Sequence, residues 1–351
     1  RWWLALGLVV GLGMLTRYTM LIAALGIAVG VLATPALRRQ LATPWPWAGV
    51  ALSLLLFAPN AWWQWRHDFV YLDFVAHIHA RDVRIGRTDG FLSGQLLVGA
   101  GPLLVPLWIA GLGWLALAKS ARPWRGLAWW YATSLALFWF AEARDYYLAP
   151  AYPMLLAAGA VLLERAAVAL RPRSAAILRG AIAVALAVAF AAAAVLALPI
   201  APIGSWGWQA SRSVHGNFAE QVGWPELAAQ VAAVHRGLPP GERAQAAVFA
   251  TNYGQAGAIN RYGPALGLPR AISGVNSHWA RGPGEPPPRV LIVLGEDAGA
   301  IAGIPADSTH AGRVPIPQGV YNEESRRPDI HVCRNLRFDW EDTWPLLRGF
   351  G

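Results

Sequence analysis

Glu142-Ala-Arg-Asp-Tyr-Tyr-Leu-Ala-Pro-Ala-Tyr-Pro153 places charge, tyrosines and prolines between apolar runs too long for a soluble core. Leu127 to Ala141 enters this stretch without a charged residue, and Leu148 to Leu163 leaves it in the same way. Glu142, Arg144 and Asp145 must therefore sit where two membrane spans meet water. Ionisable groups at such a depth are costly and are kept where they serve a function.

The whole composition agrees. The chain is 56% hydrophobic and only 14% charged, against soluble averages of about 45–50% and about 25%. Residues 1–203 hold 16 Lys+Arg and 7 Asp+Glu, whereas residues 204–351 hold 13 of each, so the net +9 belongs to the apolar part. Basic residues in short loops follow insertion topology, and no nucleic-acid partner is expected; the expected surroundings are a lipid bilayer. A single cysteine, Cys333, excludes an internal disulfide and a cysteine-based metal site.

Working outward toward the N-terminus, Trp2 to Thr34 is too long for one helix across a core of about 30 Å. Thr16-Arg-Tyr-Thr19 divides it into spans Trp2 to Leu15 and Met20 to Thr34. A third span runs from Trp45 to Phe57. After Pro59-Asn60, the residues Trp62, Trp65, Phe69, Leu72 and Val75 recur at helical spacing, which predicts an amphipathic helix lying in the interface. Residues 80 to 90 are polar and predict a loop over the membrane face. Phe91 to Leu117 is a span kinked at Gly101-Pro102 and Pro106. The two runs flanking Glu142–Pro153 and a last run, Ala181 to Ile203, complete seven spans. Ten basic residues fall on one side of this arrangement and six on the other, which places the tail outside the cytoplasm by the positive-inside rule.

After Gly204 no apolar run is long enough to span. Trp224 to His235 fits an amphipathic helix, and Gln245 to Thr251, Arg289 to Leu294 and Ile330 to Arg334 fit strands. Helical patterns follow Asn252-Tyr-Gly-Gln-Ala-Gly and Gly295-Glu-Asp, and Asp339 to Leu347 predicts a last helix. The expected fold is a polytopic α-helical membrane domain over 1–203 followed by a small α/β extracytoplasmic domain over 204–351.

Arg144-Asp-Tyr-Tyr-Leu-Ala-Pro-Ala-Tyr-Pro153 resembles a late segment of family 39 membrane glycosyltransferases, the GT-C type that includes enzymes like protein mannosyltransferases and lipid A aminoarabinose transferases. Leu15-Thr-Arg-Tyr-Thr19 is similar to a second string of that family, and Pro59, Asn60 and His67 keep part of a third. Asn252-Tyr-Gly-Gln-Ala256 and Cys333-Arg334 have counterparts in its tail. The resemblance implies a bacterial plasma-membrane enzyme moving a hexose or pentose from a polyprenyl-phosphate donor to an extracytoplasmic lipid, glycan or protein.

Such a donor presents phosphate at headgroup depth, which calls for arginine or lysine held there. Arg17 and Arg144, each beside tyrosine at a span end, are the best placed. The expected donor-binding set is Arg17, Tyr18, His67, Arg144, Tyr146 and Tyr147, with Asp145 the nearer partner of Arg144. The catalytic aspartate that the resemblance implies has no match here and is expected upstream of Arg1, so the chain is expected to be the C-terminal portion of an N-terminally truncated enzyme. No cofactor is expected, and His67, His77, His79, Asp73 and Asp82 lack the spacing of a firm metal site. The residues alone leave a second possibility open, a non-catalytic membrane carrier or assembly scaffold with a partner-binding tail.

Overall fold

The computed structural model describes residues 1–198, 200–214, 216–295, 307–317 and 320–351. The chain divides into two compact units, Arg1–Ala193 and Ala194–Gly351.

The first unit is helical. Its main helices are α1 (Trp2–Thr16), α2 (Met20–Ala33), α3 (Pro44–Arg66), α4 (Val70–Arg84), α5 (Val105–Leu117), α6 (Arg125–Phe140), α7 (Tyr152–Val168) and α8 (Pro172–Ala197), the last running into the second unit. Three pairs pack backbone to backbone through glycine, because lipid gives apolar helices little reason to associate except close contact. In α1 against α3, a Cβ on Gly11 would stand 2.8 Å from a Leu56 methyl. In α2 against α6, one on Gly26 would lie 2.6 Å from the Trp130 ring. In α5 against α7, one on Gly111 would reach the Gly159 amide nitrogen at 2.6 Å.

The break expected at Thr16–Thr19 is present. Among the described residues, Asp145–Val168 and Pro172–Val195 are long and apolar enough to cross a membrane, at 24 residues each. Two bent pairs, Met20–Ala33 with Pro35–Ala42 and Phe91–Gly99 with Pro102–Leu117, raise this to four if each is one span. The second pair bends by 90°, sharper than a kink, where a π-helical turn, Gln95–Gly99, meets Gly101-Pro102.

Two expectations around residue 60 are corrected. The helix of the third span does not end at Pro59-Asn60 but continues through Pro59 to Arg66. The expected interfacial helix is cut instead at His67–Phe69, where Asp68 and Phe69 both have φ 52°. The Phe69 amide donates to the Gln64 carbonyl at 2.8 Å, closing α3 with a left-handed turn. The polar stretch 80–90 is likewise not all loop, since α4 runs to Arg84. Trp62, Trp65, Phe69, Leu72 and Val75 are all exposed, as a lipid-facing stripe would be.

The second unit is a four-stranded mixed sheet. Strands β1 (Ala246–Phe249), β2 (Val290–Leu294), β3 (Asp307–Arg313) and β4 (Asp329–Arg334) take the order β1-β2-β4-β3, with β1 and β2 parallel and the other neighbours antiparallel. Helices α9 (Trp224–Gly237) and α10 (Tyr253–Tyr262) bury Leu227, Val231 and Ile259 against Val248, Ile292 and Ile330 on one face. On the other, Trp340 and Trp344 pack on Phe249, Leu291 and Val293. Trp279 and Trp344 each donate the indole N–H to the other's carbonyl, at 2.9 and 3.0 Å. The helix expected after Gly295 lies outside the described residues. Strand β3 was not anticipated, because Asp-Ser-Thr-His-Ala-Gly-Arg is mostly exposed at the sheet edge and carries no apolar alternation.

Candidate functional site

The loop leaving α6 is built by a left-handed turn. Glu142 has φ 45°, the Ala143 amide donates to the Phe138 carbonyl at 2.9 Å, and the Glu142 amide donates to the Trp139 carbonyl at 3.1 Å. This is a Schellman closure with glutamate where glycine is preferred. A non-glycine residue held there costs about 1–3 kcal/mol and persists where the surroundings over-determine it. A 3₁₀ turn, Asp145–Ala151, follows and leads into α7.

Gln95 of the π-helical turn fixes that 3₁₀ segment. Its buried amide donates to the Asp145 carbonyl at 3.0 Å and accepts the Tyr152 hydroxyl at 2.8 Å. Gly94 permits the approach, for a Cβ there would lie 2.6 Å from the Asp145 Cβ. The Asp145 carboxylate accepts the Tyr146 amide at 2.8 Å.

Arg144 does not pair with Asp145 or Glu142. Its Nε donates to Asp82 Oδ2 at 2.6 Å, and its Nη2 lies 2.5 Å from the same oxygen. Nη1 donates to the Tyr146 hydroxyl at 3.3 Å. Burial alone would lower the Arg144 pKa, but Asp82 and Tyr146 outweigh it and hold it above the ordinary value. Asp82 belongs to the inward face of α4, in register with the half-buried Tyr71, Phe74 and Ile78, and its side chain is only 5% exposed. Arg81 and Arg87 stand 3.8 and 3.7 Å from its other oxygen, Oδ1. A second link, His79 to Glu142 at 4.0 Å, joins α4 to the same turn.

Arg17 completes this corner. Its guanidinium stands over the Tyr147 ring at 5.7 Å, and Tyr147 meets Tyr146 edge-on at 4.9 Å. Arg17, Arg144, Tyr146 and Tyr147 are thus brought together.

Tyr18 and His67 are turned to other company. Tyr18 packs on Tyr71 and Phe57, and its hydroxyl donates to the Asn60 side-chain oxygen. His67 stacks on Trp63 at 4.1 Å and bonds the Trp63 carbonyl at 2.8 Å. Asp82 was missed as a partner because charged neighbours made 80–90 look solvated. The spacing Tyr71, Phe74, Ile78, Asp82 was the signal that would have found it.

In the tail, Asn252-Tyr-Gly-Gln-Ala is a structural turn. The Asn252 side chain caps α10 by accepting the Gln255 amide at 2.8 Å, and the Gln255 side chain accepts the Thr251 amide at 3.0 Å. Both side-chain amides donate to buried Glu324, at 3.1 and 2.9 Å. Burial raises the pKa of that carboxyl against the pull of these two donors, and Glu323 and Glu220 raise it further.

A family model described as dolichyl-phosphate-mannose-protein mannosyltransferase matches residues 1–63 of the 351. The matched segment holds Arg17 and Tyr18 and ends inside α3; His67, Asp82 and Arg144 lie beyond it. It supports a GT-C-type glycosyltransferase in general, and the apolar helices fit a membrane protein. No curated protein and no solved structure matches the chain.

Proposed function

We propose that this chain forms part of a family 39-like bacterial glycosyltransferase that moves a hexose or pentose from a polyprenyl-phosphate donor to an extracytoplasmic lipid, glycan or protein. Residues 1–203 are the membrane domain, crossing the bilayer seven times, and residues 204–351 are an extracytoplasmic α/β domain. The observation that carries this reading is the corner made by Arg144, Arg17, Tyr146 and Tyr147 where α6 gives way to the Asp145–Val168 helix. A lipid phosphate must lie at that depth while its prenyl tail stays in hydrocarbon.

In the transfer, the bond from the sugar's anomeric carbon to the phosphate oxygen breaks as the acceptor oxygen bonds to that carbon. The departing polyprenyl phosphate takes the electron pair, and a carboxylate takes the acceptor's proton. Arg144 and Arg17 stabilise the negative charge that grows on the phosphate, where fixed positive groups do most for the barrier. Tyr18 and His67, at the α3–α4 junction, are the further residues assigned to the donor's phosphate or sugar. The test is transfer from a polyprenyl-phosphate-linked sugar by the intact protein in nanodiscs. Arg144→Ala is expected to lower turnover or donor affinity about ten- to a hundredfold, a charge-assisted contact being worth roughly 1.5–3 kcal/mol. Turnover indifferent to the donor's phosphate would refute the reading.

A further inference from the structure

We propose that Asp82 is a positioning residue that turns Arg144 toward the donor phosphate, an inference that rests on the function proposed above. A guanidinium offers five N–H groups along two edges that can each grip an oxyanion. Asp82 Oδ2 occupies the side edge, taking Nε at 2.6 Å and Nη2 at 2.5 Å. Tyr146 takes one N–H of Nη1. Further N–H groups remain on the two terminal nitrogens for a second oxyanion. The Arg144 side chain is 23% exposed and Asp82 only 5%, so the buried carboxylate holds the guanidinium from behind while part of it stays open to a ligand.

The tether is fixed and does not cancel the positive patch. Among the described residues Asp82 Oδ1 is buried without a hydrogen-bond partner, although Arg81 and Arg87 flank it within ion-pair range. A buried carboxylate so poorly served by other donors depends on the Arg144 contact. Arg17, Arg81, Arg87 and Arg144 against Asp82, Glu142 and Asp145 sum to four positive charges and three negative, leaving +1 to attract a phosphate. Asp82 thus acts through Arg144.

The test measures Kd for a short-chain polyprenyl phosphate on the intact protein in nanodiscs. Wild type is compared with Asp82→Asn, Arg144→Ala and the double variant, with the uncharged polyprenol as control ligand. Asp82→Asn is expected to weaken the phosphate ligand about fivefold to tenfold and leave the polyprenol unchanged. The double variant is expected to bind no more weakly than Arg144→Ala alone. Wild-type affinity in Arg144→Ala refutes the donor site itself. Weakened Arg144→Ala with wild-type Asp82→Asn refutes only the positioning role, as do additive losses in the double variant or an equal loss of polyprenol. Should Asp82→Asn fail to fold, Asp82→Glu keeps the charge and lengthens the tether. Where Asp82→Glu folds, it is expected to weaken phosphate binding several-fold while leaving polyprenol binding unchanged, and wild-type phosphate affinity there overturns the proposal.

Discussion

Replacing Arg144 by alanine should damage the fold and the site separately, and the two effects can be pulled apart. The Asp82 side chain is 5% exposed, and Arg144 supplies both close contacts to its Oδ2, a hydrogen bond from Nε and an ion-pair contact from Nη2. Arg81 and Arg87 are 3.8 and 3.7 Å from the other oxygen and replace neither contact. Breaking a buried ion pair by removing one partner costs about 3–5 kcal/mol, chiefly because a charge is left buried alone. Arg144 itself reaches solvent, so the lower end, about 3 kcal/mol, is expected for Arg144→Ala. Removing the stranded charge as well should return most of that, since deleting both members of a buried pair is often close to neutral. Unfolding followed by tryptophan fluorescence should therefore rank Arg144→Ala below the double variant Asp82→Ala/Arg144→Ala, with wild type at or above the latter. Phosphate binding should stay weakened about ten- to a hundredfold in both. An Arg144→Ala protein that unfolds like wild type, or a double variant less stable than the single, would contradict the burial and pairing argued for Asp82.

Three further outcomes are expected. On α5, Gly111→Ala should lower the yield of folded protein, because its Cβ would meet the Gly159 amide at 2.6 Å, whereas Gly113→Ala should be silent, since a Cβ there would meet no described atom beyond its own helix backbone and chain neighbours within 4 Å; size-exclusion profiles of the two compare them directly. In the tail, the Glu324 carboxyl is raised in the fold by burial, so its contribution to stability is fully present below the unfolded carboxylate range and is lost as pH rises through its folded pKa. Glu324→Gln should then flatten the difference in melting temperature between mildly acidic and neutral pH, and an unchanged pH slope would refute this. Alkaline phosphatase fused after Gly351 should be active and a cytoplasmic reporter silent; the reverse pattern would invert the topology and remove the outer-face site.

How much was legible in the sequence depended on whether the signal was local. The division at Thr16–Thr19 was legible because a polar string interrupts two apolar helices. Strands β1 and β2 were legible because they are buried apolar runs, and β4 because Ile330 and Val332 alternate with half-buried polar residues. Edge strand β3 was not, for its side chains face solvent and carry no pattern. Pro59 misled, since a helix can absorb a proline, and Asp68-Phe69 could hide a left-handed break because neither is the expected glycine. At the site, Arg144 and the paired tyrosines stood out as charge and aromaticity between apolar runs. The partner of Arg144 did not, because Asp82 lies 62 residues away, and only the inward spacing of α4 marks it. Burial of a charged residue among charged neighbours is a tertiary fact that composition conceals.

The most direct test of the donor class is mass spectrometry of the polyprenyl-linked sugars in a strain deleted for this protein. A polyprenyl-phosphate-linked hexose or pentose should accumulate, and it should be cleared when the wild-type gene is restored but persist with Arg144→Ala. A deletion strain with no such lipid, or one cleared equally well by Arg144→Ala, would contradict the account.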